Sequence, residues 1–306
     1  MRVFGILAGV FSLTLLAACG GGSSSANSNP TNPTTPTPAP SAQGVYSGMT
    51  STGLTFETII LPNDKFYAVY GPGNGNTFYG TGIVTGQGAS NNGTYTANVT
   101  DYYYTGIVNT GSISASYVAG SSISGTLSEG GVSETFSGTG IPSSEFNYNT
   151  PAVLSNITGN WTGTLQDGTT AEVTINPSGT FAGSDSGCSF SGSISPDSSN
   201  KNFFDVQLTF GGTPCLLTNQ GASGVAVDYL LSDGVTRQLL AGVTGGNFGT
   251  VFVANSNTTA GTVTSVIASC NPTSITSGQT SQCTASVSGT GNFSSTVTWT
   301  ASGNGT

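Results

Sequence analysis

Short runs of β-branched and aromatic residues, separated by Gly, Asn, Asp and Ser, make up the chain from residue 44 to residue 256. In 171–175 the apolar residues alternate with Glu172 and Thr174, so one face of an extended chain is apolar and the other polar. No stretch keeps a 3.6-residue period over the length of a helix. The pattern predicts an all-β protein with antiparallel strands. The predicted strands are 56–61, 66–70, 94–100, 113–118, 171–175, 203–210, 225–231 and 248–254.

This region contains an internal repeat. Gly44-Val45-Tyr46-Ser47-Gly48 recurs 115 positions later as Gly159-Asn160-Trp161-Thr162-Gly163. The same offset pairs Gly53 with Gly168, Thr55 with Thr170, Glu57 with Glu172, Ile60 with Ile175, Pro62 with Pro177 and Phe66 with Phe181. We therefore expect two tandem domains, 44–150 and 151–256, each a small antiparallel β-barrel or sandwich of about eight strands.

The N-terminus has the pattern of a signal peptide, because Arg2 precedes an apolar stretch that is too short to span a bilayer. It ends in Leu16-Ala17-Ala18-Cys19, which resembles the lipobox of bacterial lipoproteins. The resemblance implies recognition of Leu16, Ala17 and Ala18 by the lipoprotein signal peptidase and cleavage after residue 18. It also implies a diacylglyceryl group on the Cys19 sulfur and acyl chains in the membrane as a partner. The alternative is an ordinary secretory signal with an incidental cysteine.

Residues 19–43 are predicted to be a tether, since Gly, Ser, Thr and Pro there cannot form a core. Gly20 follows the cysteine where an Asp would favour the inner membrane in enteric bacteria. We therefore expect an outer-membrane lipoprotein of the cell envelope.

The Gly-x-Tyr/Trp start of each repeat resembles the opening of lipocalin and avidin-type barrels, and the barrels of transferrin-binding surface lipoproteins. Over the whole chain the resemblance is to surface lipoproteins of Gram-negative bacteria with no assigned activity. Tyr46 stands where lipocalins have Trp, and we find neither their basic residue at the closing strand nor the polar cage of avidin. The resemblance therefore implies a barrel and no particular ligand.

The cysteines other than Cys19 form an even set, which suits disulfides in an oxidising compartment. The simplest of the possible pairings joins Cys188 to Cys215 and Cys270 to Cys283. A metal site is the rival interpretation, but the chain has no histidine and no Cys-x-x-Cys pair.

After a linker at 257–263, residues 264–306 resemble the first part of a bacterial Ig-like domain of the intimin/invasin type. The resemblance rests on Ser274-x-x-x-Gly278-Gln279-Thr280 and Val297-Thr298-Trp299. It implies that the Cys270–Cys283 bridge is buried between strands and that Trp299 is a core residue. We expect the chain to be a fragment of a longer protein, and the alternative is that this segment stays incomplete with an open sheet edge.

Composition restricts the possible functions. Only 6% of residues are charged, with 4 Lys and Arg against 13 Asp and Glu, so nucleic acid is not expected as a partner. Without histidine we predict no enzyme activity, no cofactor and no metal. Glu57 and Glu172 are expected to be surface charges. Asp185, Asp197 and Asp205 lack the spacing of a calcium loop.

Tyrosine is distributed unevenly, with ten of the 11 tyrosines between Tyr46 and Tyr148. Tyr103 should face away from Tyr102 and Tyr104 if the run is a strand. Exposed tyrosines suit contact with a protein or a glycan, and otherwise they fill the scaffold. The candidate contact surface is Tyr67, Tyr70, Tyr102, Tyr103 and Tyr104.

Two functions follow from these patterns. The first is a lipid-anchored envelope or cell-surface protein with a non-enzymatic binding, adhesion or structural role. The alternative is a small-ligand carrier with a cavity inside one barrel.

The anchor is tested by Cys19→Ser, which removes the sulfur that the lipid would occupy. We expect the variant to leave the membrane fraction or to keep its signal peptide, and to lose labelling by a lipid precursor. Unchanged membrane fractionation together with unchanged lipid labelling would contradict the lipobox assignment.

Overall fold

The structure is a computed structural model that describes residues 40–73, 78–104, 106–215, 217–256, 262–290 and 297–299. It contains two closed antiparallel barrels of eight strands each, followed by a two-stranded sheet. The all-β prediction with tandem barrels is confirmed. The predicted signal peptide, Cys19 and the tether up to residue 39 lie outside the described residues. The last four residues of the predicted tether, 40–43, pack against the first barrel instead, and Ala42 is fully buried there.

Each barrel is a simple meander in which neighbouring strands pair. The first barrel consists of β1 (Gly44–Thr50), β2 (Thr55–Ile60), β3 (Lys65–Gly71), β4 (Gly82–Asn91), β5 (Thr94–Tyr103), β6 (Val108–Val118), β7 (Ser122–Glu129) and β8 (Val132–Gly140). A 3-10 helix, Leu154–Asn156, precedes the second barrel. The second barrel consists of β9 (Gly159–Leu165), β10 (Thr170–Ile175), β11 (Thr180–Asp185), β12 (Cys188–Pro196), β13 (Phe204–Phe210), β14 (Gly221–Leu230), β15 (Arg237–Gly245) and β16 (Phe248–Asn255).

The repeated Gly-x-Tyr/Trp-x-Gly motif lies at the seam that closes each barrel. A Cβ at Gly48 would lie 2.0 Å from the carbonyl oxygen of Ser137 on β8, and one at Gly163 would lie 2.4 Å from that of Val253 on β16. Only glycine allows the first and last strands to approach this closely. The motif is therefore a requirement of barrel closure.

The aromatic residue of the motif closes one end of each barrel in the same way. The Tyr46 hydroxyl donates to the carbonyl of Ala42 over 2.8 Å, and Trp161 Nε1 donates to the carbonyl of Ile157 over the same distance. Both acceptors lie four residues before the aromatic residue. The repeat is thus preserved in tertiary contacts as well as in sequence.

The two barrels share one hydrophobic core formed by their outer faces. Side chains that point outward from β1 to β4 pack against side chains from β14 to β16, and Ile83 and Val251 are at most 1% exposed. The members of this core are Val45, Ile59, Leu61, Tyr67, Val69, Phe78, Ile83, Phe146, Tyr148, Phe203, Val225, Val227, Tyr229, Leu240, Val251 and Val253. Burial of so many apolar side chains holds the barrels together.

Glu57 lies inside this shared core, and its prediction as a surface charge is wrong. β2 alternates, so Phe56 and Thr58 face the interior while Glu57 and Ile59 face the second barrel. The Glu57 Oε2 atom is buried without a hydrogen-bond partner. Burial raises the pKa of Glu57 to about 7, and a hydrogen bond with the Tyr229 side chain offsets part of that rise. Glu172, at the matching position of β10, is exposed as predicted.

The C-terminal sheet consists of β17 (Thr262–Asn271) and β18 (Gln282–Thr290), with Cys270 directly opposite Cys283. The Cys270–Cys283 bridge is present as predicted. The expected burial is wrong, because Cys283 is exposed and Trp299 is 52% exposed. No third described strand packs on this sheet, so its side chains remain in contact with solvent.

Glu57→Gln tests the buried carboxyl through the pH dependence of stability. The folded protein holds this proton more tightly than the unfolded chain, so the stability of the native protein falls as pH rises from about 4.5 through about 7. The amide cannot ionise. We expect the variant to match the native protein at pH 4 and to exceed it at pH 8 by up to about 3 kcal/mol in urea unfolding.

Glu172→Gln is the matched control, because it makes the same change at the equivalent but exposed position. Its stability should follow that of the native protein at both pH values. Parallel curves for Glu57→Gln and the native protein would show that the Glu57 carboxyl is solvated.

Candidate functional site: the open pocket of the first barrel

One end of the first barrel is sealed by residues 40–43. The Tyr117 hydroxyl donates to the carbonyl of Pro40 over 2.8 Å, and the Ala42 amide donates to Ser90 Oγ over 2.9 Å. Tyr46 and Tyr95 fill the interior beneath this segment, and both are at most 1% exposed. The barrel is therefore closed at the end where the chain enters it.

The other half of the interior holds a cavity of about 140 Å³. It is mainly apolar, with Phe56, Ile60, Phe66, Val84, Ile113, Ile123, Leu127 and Phe136 among its lining residues. An engineered apolar cavity of about 150 Å³ binds benzene, so this space suits a group of that size. Successive side chains of a β-strand point to opposite faces, so every second residue of these strands points inward and can line the cavity.

Three carboxyl groups line the cavity toward its open end: Asp101 on β5, Glu129 on β7 and Glu134 on β8. The Tyr70 hydroxyl donates to Asp101 over 2.8 Å. Glu134 accepts from the hydroxyl and the backbone amide of Thr52. The buried Glu129 Oε1 has no hydrogen-bond partner.

Two of these carboxyl groups, Asp101 and Glu129, hold protons more tightly than usual. Burial raises the pKa of Asp101 to about 6, with the Tyr70 hydrogen bond opposing the rise and Glu134 adding to it. Burial, followed by repulsion from Asp101 and Glu134, raises the pKa of Glu129 to about 7. The charge of the pocket mouth therefore changes with pH close to neutrality.

No basic side chain lines this pocket. Lys65 lies over the Tyr67 ring, Lys201 donates to Asn149, and Arg237 is paired with Asp228. In the part of the chain that the structure describes, these are all the Lys and Arg residues. The acidic mouth is consequently not neutralised from within the described chain.

The tyrosines proposed as a contact surface separate into two groups. Tyr67 is buried in the inter-barrel core and Tyr102 packs against the same core, so the expectation that these two form an exposed surface is wrong. Tyr70 lines the pocket, and the Tyr103 ring stacks near it with centroids 6.4 Å apart. Tyr104 is 48% exposed, with its ring 4.6 Å from that of Tyr103.

The second barrel has an interior cavity of about 120 Å³ with a different lining. Phe190, Phe210 and Phe252 line it, and Cys188 of the predicted Cys188–Cys215 bridge lies at its edge. Asp185 is its one carboxyl group. The acidic mouth is thus a property of the first barrel.

Other candidate sites receive little support. The described residues contain no group of three or more His, Cys, Asp or Glu side chains placed to hold a metal. Burial, then repulsion from Asp197, raises the pKa of Asp205, while Asp185 accepts from Thr169 and Ser186.

The predicted lipobox lies outside the described residues, and it consists of Leu16, Ala17, Ala18 and Cys19. Within the described ranges no helix has the length and apolar character needed to cross a membrane.

Comparison with known proteins assigns no family. No family model matches the chain, and no curated protein matches it. Isotype 1 transferrin binding protein B from serogroup B Neisseria meningitidis is similar at 9% identity and a TM-score of 0.23, over 67% of this chain and 64% of that one. A DUF3598-family protein from Nostoc punctiforme PCC 73102 is similar at 9% identity and a TM-score of 0.24, over 70% of this chain and 93% of that one.

The sequence patterns alone do not point to Asp101, Glu129 or Glu134. A signal was present, since Asp101 continues the apolar face of Tyr95, Ala97 and Val99. A carboxyl residue that comes after several inward-facing residues of one strand is a candidate to lie at the mouth of a barrel.

Tyr70→Phe tests the hydrogen bond at the mouth. Loss of the donor removes the stabilisation of the Asp101 carboxylate, so the pKa of Asp101 should rise further above about 6. Carbon-detected NMR of the side-chain carboxyl across pH 4 to 9 would measure it. Tyr117→Phe removes a hydroxyl at the closed end of the same barrel and should leave the Asp101 titration unchanged. An unshifted Asp101 in Tyr70→Phe would show that this hydrogen bond does not govern its pKa.

Proposed function

We propose that the protein is a lipid-anchored binding protein of the bacterial cell envelope, and that its first barrel binds a small ligand with an apolar part. The observation that carries the proposal is the apolar cavity of about 140 Å³, sealed at one end and lined by carboxyl groups toward the other. Binding pockets are typically concave and apolar with a few polar groups that converge on the ligand.

The lipid anchor in this proposal rests on the sequence. The lipobox at Leu16–Cys19 precedes a Gly/Ser/Pro-rich tether, and the described chain begins at the sealed end of the first barrel. The net charge of -9 disfavours adsorption of the folded part to anionic lipid headgroups.

We assign the pocket to binding rather than to catalysis. Its polar groups are carboxyls and the Tyr70 hydroxyl, and the chain has no histidine to supply a general base of the usual kind. The raised pKa values of Asp101 and Glu129 follow from burial in an apolar wall, which is equally expected of a binding site.

A second candidate function is contact with a protein or glycan at the rim of the first barrel. It is supported by three exposed apolar side chains in the loops at the mouth, Tyr79, Tyr104 and Ile107, which are 42%, 48% and 53% exposed. Exposed aromatic residues of this kind often anchor interfaces. Binding to a glycan array that is lost in Tyr104→Ala would favour this function.

Ligand binding is tested by filling the cavity. A tryptophan at Leu127 would occupy much of the space inside the first barrel, and one at Leu208 would do the same in the second. Titration of the native protein with 1-hexanol should shift amide resonances of β5, β7 and β8. We expect Leu127→Trp to weaken hexanol binding by roughly tenfold or more, because the indole ring leaves too little space for the hexyl group.

Leu208→Trp is the control and should leave the shifts in the first barrel intact. Thermal unfolding would verify that both variants are folded. Hexanol binding to folded Leu127→Trp with native affinity would contradict a ligand site inside the first barrel.

A further inference from the structure

We infer that the ligand of the first barrel is a small apolar cation, an alkyl- or arylammonium whose charged group lies between Asp101, Glu129 and Glu134 and whose hydrocarbon part fills the cavity. This inference rests on the proposed function, because it assigns a chemical class to the ligand of that pocket.

Charge complementarity is the first argument. The pocket combines an apolar wall with three carboxyl groups and no basic side chain. In a partly buried site with reduced dielectric, opposite charges attract more strongly than they do in water. An anionic ligand would be repelled, and a neutral one would leave the carboxyl groups uncompensated.

The second argument is an acceptor that lacks a donor. Asp101 already accepts from Tyr70, and Glu134 accepts from Thr52, whereas the buried Glu129 Oε1 has no partner. A buried acceptor without a donor is costly. A primary ammonium carries three N–H donors, so it can supply Glu129 and still reach a second carboxylate.

The tyrosines at the mouth provide a third argument. Tyr70 lines the pocket, and Tyr103 stacks beside it with an interplanar angle of 12°. Aromatic faces near a carboxylate attract organic cations through the ring quadrupole. A hydrophobic ammonium can contact the tyrosine rings and the carboxylates while its hydrocarbon part fills the cavity.

A bare metal ion fits these features less well. The described residues place no metal-binding group there. A metal ion would also leave the apolar cavity beneath the carboxyl groups unused.

The test compares three probes with the same chain length: hexylammonium, 1-hexanol and hexanoate. At pH 8 we expect hexylammonium to bind the native protein about tenfold more tightly than hexanol, as suits one charge-assisted hydrogen bond, and hexanoate to bind weakest. NMR titration of the first barrel gives all three affinities in the same protein.

Glu129→Gln should reduce the preference for hexylammonium over hexanol to about a third or less of its native value, because the ammonium then meets a neutral amide oxygen in place of a carboxylate of opposite charge. Glu172→Gln makes the same change on the exposed face of the second barrel and should keep the native preference. Melting temperatures would show that both variants are folded.

The preference should also depend on pH. Asp101, Glu129 and Glu134 face the proposed ammonium site, together with the Tyr70 hydroxyl and the nearby Tyr103. Protonation of Asp101 and Glu129 between pH 8 and pH 5 removes negative charge, so hexylammonium should lose affinity while hexanol keeps most of its own.

The outcomes separate the two proposals. If none of the three probes binds inside the first barrel, the proposed function fails. If hexanol binds as tightly as hexylammonium at pH 8, or if hexanoate binds best, the pocket stands but the cationic ligand is wrong. If Glu129→Gln retains the full preference for hexylammonium, the assignment of its carboxylate to the ammonium is overturned.

Discussion

The first and last strands of each sheet pair along a seam, and this pairing closes the sheet into a barrel. A closed sheet has no free edges and gives every strand an inside and an outside. Gly48 and Gly163 permit the close approach of backbones at the two seams. Once the seam is formed, the two-residue alternation of each strand decides which side chains can line a pocket and which can meet the neighbouring barrel.

The outer faces of the two barrels form a hydrophobic core, as their interiors do. Ile83 and Val251, from different barrels, are buried in the same core. Glu57 lies in that core because it is an outward-facing residue on a strand whose outer side is covered. Formation of the interface removes the Glu57 carboxyl group from water, and this burial raises its pKa to about 7.

The two repeats have kept their closure contacts and changed their pockets. Tyr46 and Trp161 make the same hydrogen bond to the carbonyl four residues earlier. The cavity of the first barrel has Asp101, Glu129 and Glu134, whereas that of the second has phenylalanines and a disulfide at its edge. The same closure contacts therefore enclose two interiors of different chemistry.

The all-β class, half of the barrel strands, the repeat and the cysteine pairs were predicted from the sequence, because alternation, turn residues and spacing are local properties of a chain. The predicted strand at 94–100, for example, lies within β5. The burial of Glu57 and Tyr67 depends on tertiary contacts, since an outward-facing side chain is exposed or buried according to what covers that face. The same holds for Asp101, Glu129 and Glu134, which come from separate strands and line one pocket only after the sheet closes. The lack of a covering sheet likewise leaves Cys283 and Trp299 exposed within the described residues, although the local pattern predicted a core.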